Sequence, residues 1–178
     1  EALTGQLQAN YWLHNEHVKY EGGKMSKSKG TFLTLEDLRA KGFSPMAYRF
    51  LILQNYYRKP LNFSLDSLQA AQNGLIAIVR EIAFYGKAKG KCEKFEEEFY
   101  EAVGDDLNTA KGLAILQKVI DADCKDSAKM ATILKMDEIL GLRLESLAKN
   151  ALNISDQAKI ILEERAKARN DKNWEASD

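Results

Sequence analysis

The sequence predicts a mainly α-helical fold, an antiparallel helical bundle, and three observations carry that expectation. Apolar residues recur near a 3.6-residue period through most of the second half of the chain. Start and stop signals bracket these stretches, among them Ser44-Pro45, Asn108-Thr109 and Gly141. The connections between them are short, which makes antiparallel neighbours the default packing. With 178 residues, 45% of them hydrophobic, the chain can bury a sizeable core.

The elements follow in order. Residues up to about Asn15 read as a short opening helix, and His17-Val18-Lys19-Tyr20 as a brief extended piece. That piece runs into Glu21-Gly22-Gly23, whose glycines let the backbone turn. A loop follows, Lys24-Met25-Ser26-Lys27-Ser28-Lys29-Gly30. Thr34-Leu35-Glu36-Asp37 has the spacing of a helix capping box and opens a helix that Gly42 ends. Ser44 then caps a helix with Pro45 at its first position, where a missing N–H costs nothing. This helix sets Met46, Phe50, Leu53 and Tyr57 on one face and is expected to continue until Pro60.

A longer helix is expected from about Leu65 to Tyr85, with Leu65, Leu68, Leu75, Val79 and Ile82 inward. Phe95, Phe99 and Val103 form the next stripe, which reads as core. Leu113, Leu116 and Ile120 follow behind a cap at Asn108 or Thr109. Met130, Ile133, Leu134 and Leu140 form another stripe, closed by Gly141. The pattern fades between Leu142 and Ser155, which reads as a linker, and Ser155 opens a last helix with Ala158, Ile161 and Leu162 inward.

Composition narrows the function classes. Lys+Arg and Asp+Glu number 26 each, a formal net charge of zero, which argues against a strongly basic DNA-coating protein and a disordered acidic tail. Two Pro and 11 Gly exclude collagen-like and proline-rich chains. No apolar run approaches the roughly 18 residues of a spanning helix. The opening residues do not form a signal peptide, so the expectation is a soluble chain cut from something longer. The zero total hides an uneven distribution: residues 1–60 carry a net +4 and residues 91–145 a net −5. A basic front end suits a polyanion, phosphate or RNA, and equally an ordinary solvated surface.

Cys92 and Cys124 are too far apart in sequence for a C-x-x-C motif and are expected to be reduced thiols. His14 and His17 are the only histidines, so no metal site can be argued.

The informative segment is Lys24-Met25-Ser26-Lys27-Ser28. It is a loop with lysines and hydroxyls alternating, preceded by Gly-Gly. Such a loop can fold over a phosphate chain and neutralise charge that develops as a bond breaks. The G-x-x-x-x-G-K-[ST] spacing of a Walker A loop is absent.

This string resembles the Lys-Met-Ser-Lys-Ser (KMSKS) signature loop of class I aminoacyl-tRNA synthetases. Four further stretches look like the cysteinyl-tRNA synthetase family: Ala9-Asn10-Tyr11-Trp12-Leu13-His14-Asn15; Tyr57-Arg58-Lys59-Pro60-Leu61-Asn62-Phe63-Ser64; Asp105-Asp106-Leu107-Asn108-Thr109-Ala110; and the ending Arg165, Ala168-Arg169, Lys172-Asn173-Trp174 and Ser177-Asp178. They fall in the family's order and cover nearly the whole chain. The chain departs from the family at Lys29 and Thr31, where Leu and Asn are usual.

The resemblance implies a division at residue 63. Residues 1–63 would be the end of the catalytic core with the KMSKS loop and a stem-contact region, and residues 64–178 a helical-bundle tRNA anticodon-binding domain truncated at its C-terminus. It implies two steps, activation of L-cysteine by ATP with Mg2+ to cysteinyl-adenylate, then transfer to tRNA(Cys). Lys27 and then Lys24 would meet the departing pyrophosphate, with Met25, Ser26 and Ser28 completing the ATP-binding loop. Arg169 and Asp178 match positions that read the anticodon's guanine. The family's His-Ile-Gly-His-type ATP motif and its zinc ligands do not map onto this chain, so the piece alone is expected to be inactive. A cytoplasmic, monomeric protein with no membrane partner is also implied. Two other classes compete: the related ligase joining cysteine to an amino-sugar, and a helical interaction module without catalysis. The long helical region disfavours the former and the lysine loop the latter.

Five further residues carry readings of their own. Trp12 and His14, just before the loop, either line the nucleotide site or pack as ordinary structural residues. Asp105 and Asp106 look like a carboxylate pair for acid–base work, but with no nucleophile or metal ligand beside them they read as acids favouring the N-terminus of the helix that Asn108 caps. Arg58 suits either a carboxylate or a tRNA phosphate.

Overall fold

The computed structural model describes Gly5, Leu7 and residues 9–20, 23–24 and 33–152. Three short strands and seven helices are found among them: β1 (Val18–Tyr20), β2 (Gly23–Lys24), α1 (Leu35–Ala40), α2 (Pro45–Leu53), β3 (Leu61–Phe63), α3 (Leu65–Ile82), α4 (Glu93–Gly104), α5 (Thr109–Asp121), α6 (Asp126–Leu140) and α7 (Leu144–Leu152).

Residues 9–17 form no helix, contrary to the sequence expectation. The chain there runs beside another segment, and Glu16 N–H donates to the Tyr57 carbonyl at 2.9 Å. The extended piece is β1, which pairs antiparallel with β2 (Lys19 opposite Lys24, Tyr20 opposite Gly23). On its other edge β1 pairs in parallel with β3, Val18 opposite Leu61 and Tyr20 opposite Phe63. A parallel pair needs a long crossover, and α1 and α2 lie within it. Sequence reading missed β3, a strand too short to show an alternating pattern.

Capping explains most helix starts. Thr34 and Asp37 form the expected capping box of α1, and the Ser44 hydroxyl accepts from Met46 N–H at α2. A second box, Ser64 with Ser67, opens α3. Asn108 caps α5, its side chain accepting from Lys111 N–H at 3.1 Å. Gly141, in the left-handed region at φ 63, closes α6.

Two helix expectations are corrected. α2 ends at Leu53, well before Pro60, because Asn55 turns the chain: its side-chain amide donates to the Lys59 carbonyl at 2.9 Å. Tyr57 therefore lies beyond the helix. The supposed linker after Leu142 contains α7, whose first turn is held by Asp137: its carboxylate accepts from Leu142 and Leu144 N–H at 2.7 and 2.8 Å. Leu144 and Ala148 bury the inner side of α7. The proposed last helix from Ser155 lies outside the described residues.

One core runs through the helices. Leu68, Leu75, Val79 and Ile82 of α3 are buried with Phe50 of α2, Phe99 of α4, Leu116 of α5 and Ile133 of α6. Each such side chain contributes roughly 1.5–3 kcal/mol relative to exposure. Phe63 joins the strands to this core: its ring centroid lies 6.0 Å from Tyr20 and 5.8 Å, edge-on, from Tyr48 of α2.

Candidate functional site

The β1–β2 hairpin sets the lysine loop's origin. β2 ends with the main chain of Lys24 hydrogen-bonded beside β1, so the loop leaves from the edge of the strand layer. Met25, Ser26, Lys27 and Ser28 lie outside the described residues, as do Arg169 and Asp178.

The described residues do bring two of the sequence motifs together. Between α2 and β3 the chain presents Tyr56, Tyr57 and Arg58 in succession, and all three donate to Asp106 in the α4–α5 turn. Arg58 Nε reaches Asp106 Oδ2 at 2.8 Å and Nη2 reaches Oδ1 at 3.1 Å. The Tyr57 hydroxyl donates to Oδ1 at 2.5 Å, and the Tyr56 hydroxyl donates to Oδ2. The Arg58 guanidinium also lies over the Tyr57 ring, 5.1 Å from its centroid.

Charge explains the electrostatics here. The hydrogen bonds from Arg58, then those from Tyr56 and Tyr57, hold the Asp106 carboxyl well below the usual carboxylate range. Accepted by that carboxylate, the Tyr56 and Tyr57 hydroxyls are pushed up, and so is the Arg58 guanidinium. A carboxyl so strongly acidic is no general acid or base near neutral pH.

Of the two readings of Arg58 the structure shows the carboxylate partner, and it adds that partner to Asp106, which lies in the turn before α5 as expected. Arg58 pairs with a carboxylate, and Asp106 serves that pair while the Asn108 side chain caps α5. Asp106, like Leu107, lies at positive φ (50 and 55), a conformation that aspartate tolerates. Nothing in the local pattern named its partners.

Next to the cluster lies a cleft of about 360 Å³, bordered by Leu13, Val18, Leu53, Tyr57, Leu107 and Thr109 among others. Across its rim the Thr109 hydroxyl donates to the Leu53 carbonyl at 2.8 Å. Trp12 is 77% exposed and His14 is exposed too, so neither packs into the core. Cys92 and Cys124 are free thiols, and burial, with Cys124 beside it, pushes the Cys92 thiol up. Among the described residues no three of His, Cys, Asp and Glu gather as a metal site. No described helix is long and apolar enough to cross a membrane.

Comparison with known proteins covers the chain from end to end. The family model for the class I (C) tRNA synthetase catalytic domain matches residues 1–73. A protein of Treponema denticola named cysteine–tRNA ligase is 34% identical over 212 aligned residues, covering 100% of this chain and 43% of that protein. The protein of the same name from Synechocystis is 36% identical, covering 100% of the chain and 44% of its own length. One from Novosphingobium aromaticivorans is 37% identical, covering 96% and 38%. The chain thus spans less than half the length of the curated relatives it matches.

Proposed function

The chain belongs to the cysteinyl-tRNA synthetase family, and from that premise we propose that it supplies the lysine loop and the tRNA-binding helices of an enzyme that charges tRNA(Cys) with L-cysteine. The carrying observation is that the relatedness runs along the whole chain, with the Lys24-Met25-Ser26-Lys27-Ser28 string beginning at the last residue of β2. Residues 1–63 belong to the catalytic side and residues 64–178 to the tRNA-binding side.

In the first step the cysteine carboxylate attacks the α-phosphorus of ATP, and the bond to pyrophosphate breaks. Negative charge grows on the departing oxygens. Lys27, with Lys24 second, neutralises it, while Ser26 and Ser28 donate hydrogen bonds. In the second step the terminal ribose hydroxyl of the tRNA takes the cysteinyl group and releases AMP. Mg2+ accompanies ATP, and the family's zinc belongs to the part of the enzyme outside this chain. At the far end Arg169 and Asp178 suit a guanine: an arginine fork fits O6 and N7, and a carboxylate fits the N–H donors of the pairing edge. An unstacked anticodon loop exposes both edges.

The test is Lys27→Ala in the complete enzyme. Adenylation should slow on the order of 100- to 1000-fold, with little change in the Michaelis constant for cysteine. Normal turnover with only a raised Michaelis constant would overturn the assignment. The 178-residue chain by itself should show no cysteine-dependent ATP–pyrophosphate exchange.

A further inference from the structure

The convergence on Asp106 exceeds what stability asks for. The Arg58 and Asp106 side chains are 60% and 41% exposed, and exposed ion pairs contribute little to folding. The backbone also runs against preference, because Leu107 at φ 55 sits in a region that leucine rarely enters. Such strain persists only where the surroundings hold it, and it collects where geometry matters more than stability.

What Asp106 holds has two sides. On one, the three donors belong to a turn stitched to the chain entering β1: the Tyr57 carbonyl accepts from Glu16 N–H at 2.9 Å, and Leu61 N–H donates to the His17 carbonyl at 3.3 Å. On the other, Asn108 caps α5 two residues later, and Thr109 ties the start of that helix to the end of α2. We infer that Asp106 is a positioning residue, which fixes the start of α5, and with it the α4–α5 pair, against the strand layer from which the lysine loop leaves. This rests on the reading that the strand layer serves adenylation and the helices hold tRNA. Adenylation needs only small substrates and does not depend on that relationship. Transfer does, because the helices then set where the tRNA's terminal ribose meets the adenylate.

The experiment compares the two steps in the complete enzyme carrying Asp106→Asn, Asp106→Ala or Asp106→Glu. Cysteine-dependent ATP–pyrophosphate exchange reports the first step, and single-turnover transfer from preformed adenylate reports the second. A displacement near 1 Å costs on the order of 100-fold, so transfer should slow at least about tenfold in Asp106→Ala, with exchange within about twofold. Asp106→Glu, which keeps the charge, should recover part of the loss. Should Asp106→Ala fail to fold, Asp106→Asn and Arg58→Lys carry the same comparison. Equal losses in both steps, or transfer left unchanged, would overturn the inference. Absence of exchange in the unsubstituted enzyme would instead refute the functional reading beneath it.

Discussion

Arg58 and Asp106, 48 residues apart in sequence, meet in a two-point ion pair whose N–O distances are 2.8 and 3.1 Å. The pair closes a corner at which the α2–β3 turn, the α4–α5 turn and, through Tyr57, the chain entering β1 come together.

A pH dependence follows from it. The folded-state pKa of Asp106 lies below its ordinary value of 3.8. The contribution of the pair to stability is therefore complete above the unfolded pKa and is lost as pH falls through the folded one. Asp37 adds in the same sense, because hydrogen bonds from the Thr34 backbone and side chain lower its pKa. Both groups are exposed, so the effect is modest. Urea midpoints of the chain and its Asp106→Asn variant should differ near pH 6, and the difference should still be present near pH 3 and become much smaller near pH 2. An equal difference near pH 6 and near pH 2 would remove the ion pair as the cause.

Much of this fold was legible because caps and periods are local. Thr34, Ser44, Asn108 and Gly141 act where their spacing said they would. The failures were tertiary. Tyr57 lies at helical spacing from Leu53 and Phe50, yet its hydroxyl is spent on Asp106 and the helix stops short. α7 was hidden because the N–H of its first residue, Leu144, and that of Leu142 before it are satisfied by Asp137 of the preceding helix. For the site, the motif strings marked both Arg58 and Asp106, but pairing across 48 residues has no signature in sequence. The lysine loop and the Arg169–Asp178 end rest on the family pattern.

Gly141 is placed for its conformation and for its neighbour. It sits at φ 63, and a Cβ there would lie 2.8 Å from Arg49 Nη2. Arg49 is held in place, since its Nε donates to the Leu140 carbonyl at 2.6 Å. Gly141→Ala should therefore cost about 1–2 kcal/mol, from the left-handed backbone and the displaced arginine. Chemical denaturation measures it. Combining Gly141→Ala with Arg49→Ala should cost less than the two single losses added, because the clash disappears with the side chain.

Thr132 is buried and bridges two elements. Its hydroxyl accepts from Cys92 N–H at 2.8 Å and donates to Glu96 Oε1 at 3.2 Å. Cys92 is the N-cap of α4 and makes no side-chain cap bond, and its own N–H is satisfied by Thr132 of α6. Thr132→Val keeps the shape and strands a buried donor, at about 1–3 kcal/mol. Thr132→Ser keeps the hydroxyl and should be the milder change in a thermal melt. A serine variant less stable than the valine variant would show that packing, not the hydrogen bond, dominates there.

Gly112 of α5 packs against Phe99 and Val103 of α4, and it bears on the same corner. In an ordinary helix interior, glycine to alanine is a gain of about 1 kcal/mol. Here the added carbon would stand 3.0 Å from Phe99 Cε2 and 3.3 Å from Val103 Cγ1. Phe99 is fully buried, with the Tyr100 ring edge-on at 5.9 Å, so it has no room to retreat. The helices must separate by a few tenths of an ångström, and overpacking of this kind costs about 1–3 kcal/mol, enough to outweigh the propensity gain. Gly104, at the end of α4, provides the control, because a carbon there meets nothing within 4 Å. Gly104→Ala should be neutral or slightly stabilising, and Gly112→Ala destabilising, in the same urea titration. If both variants gain stability, the α4–α5 contact yields easily and is not what limits the approach. If Gly112→Ala alone loses, the separation opens beside Asp106, which lies in the turn between these two helices. The same variant should then slow transfer to tRNA before it slows adenylation in the complete enzyme.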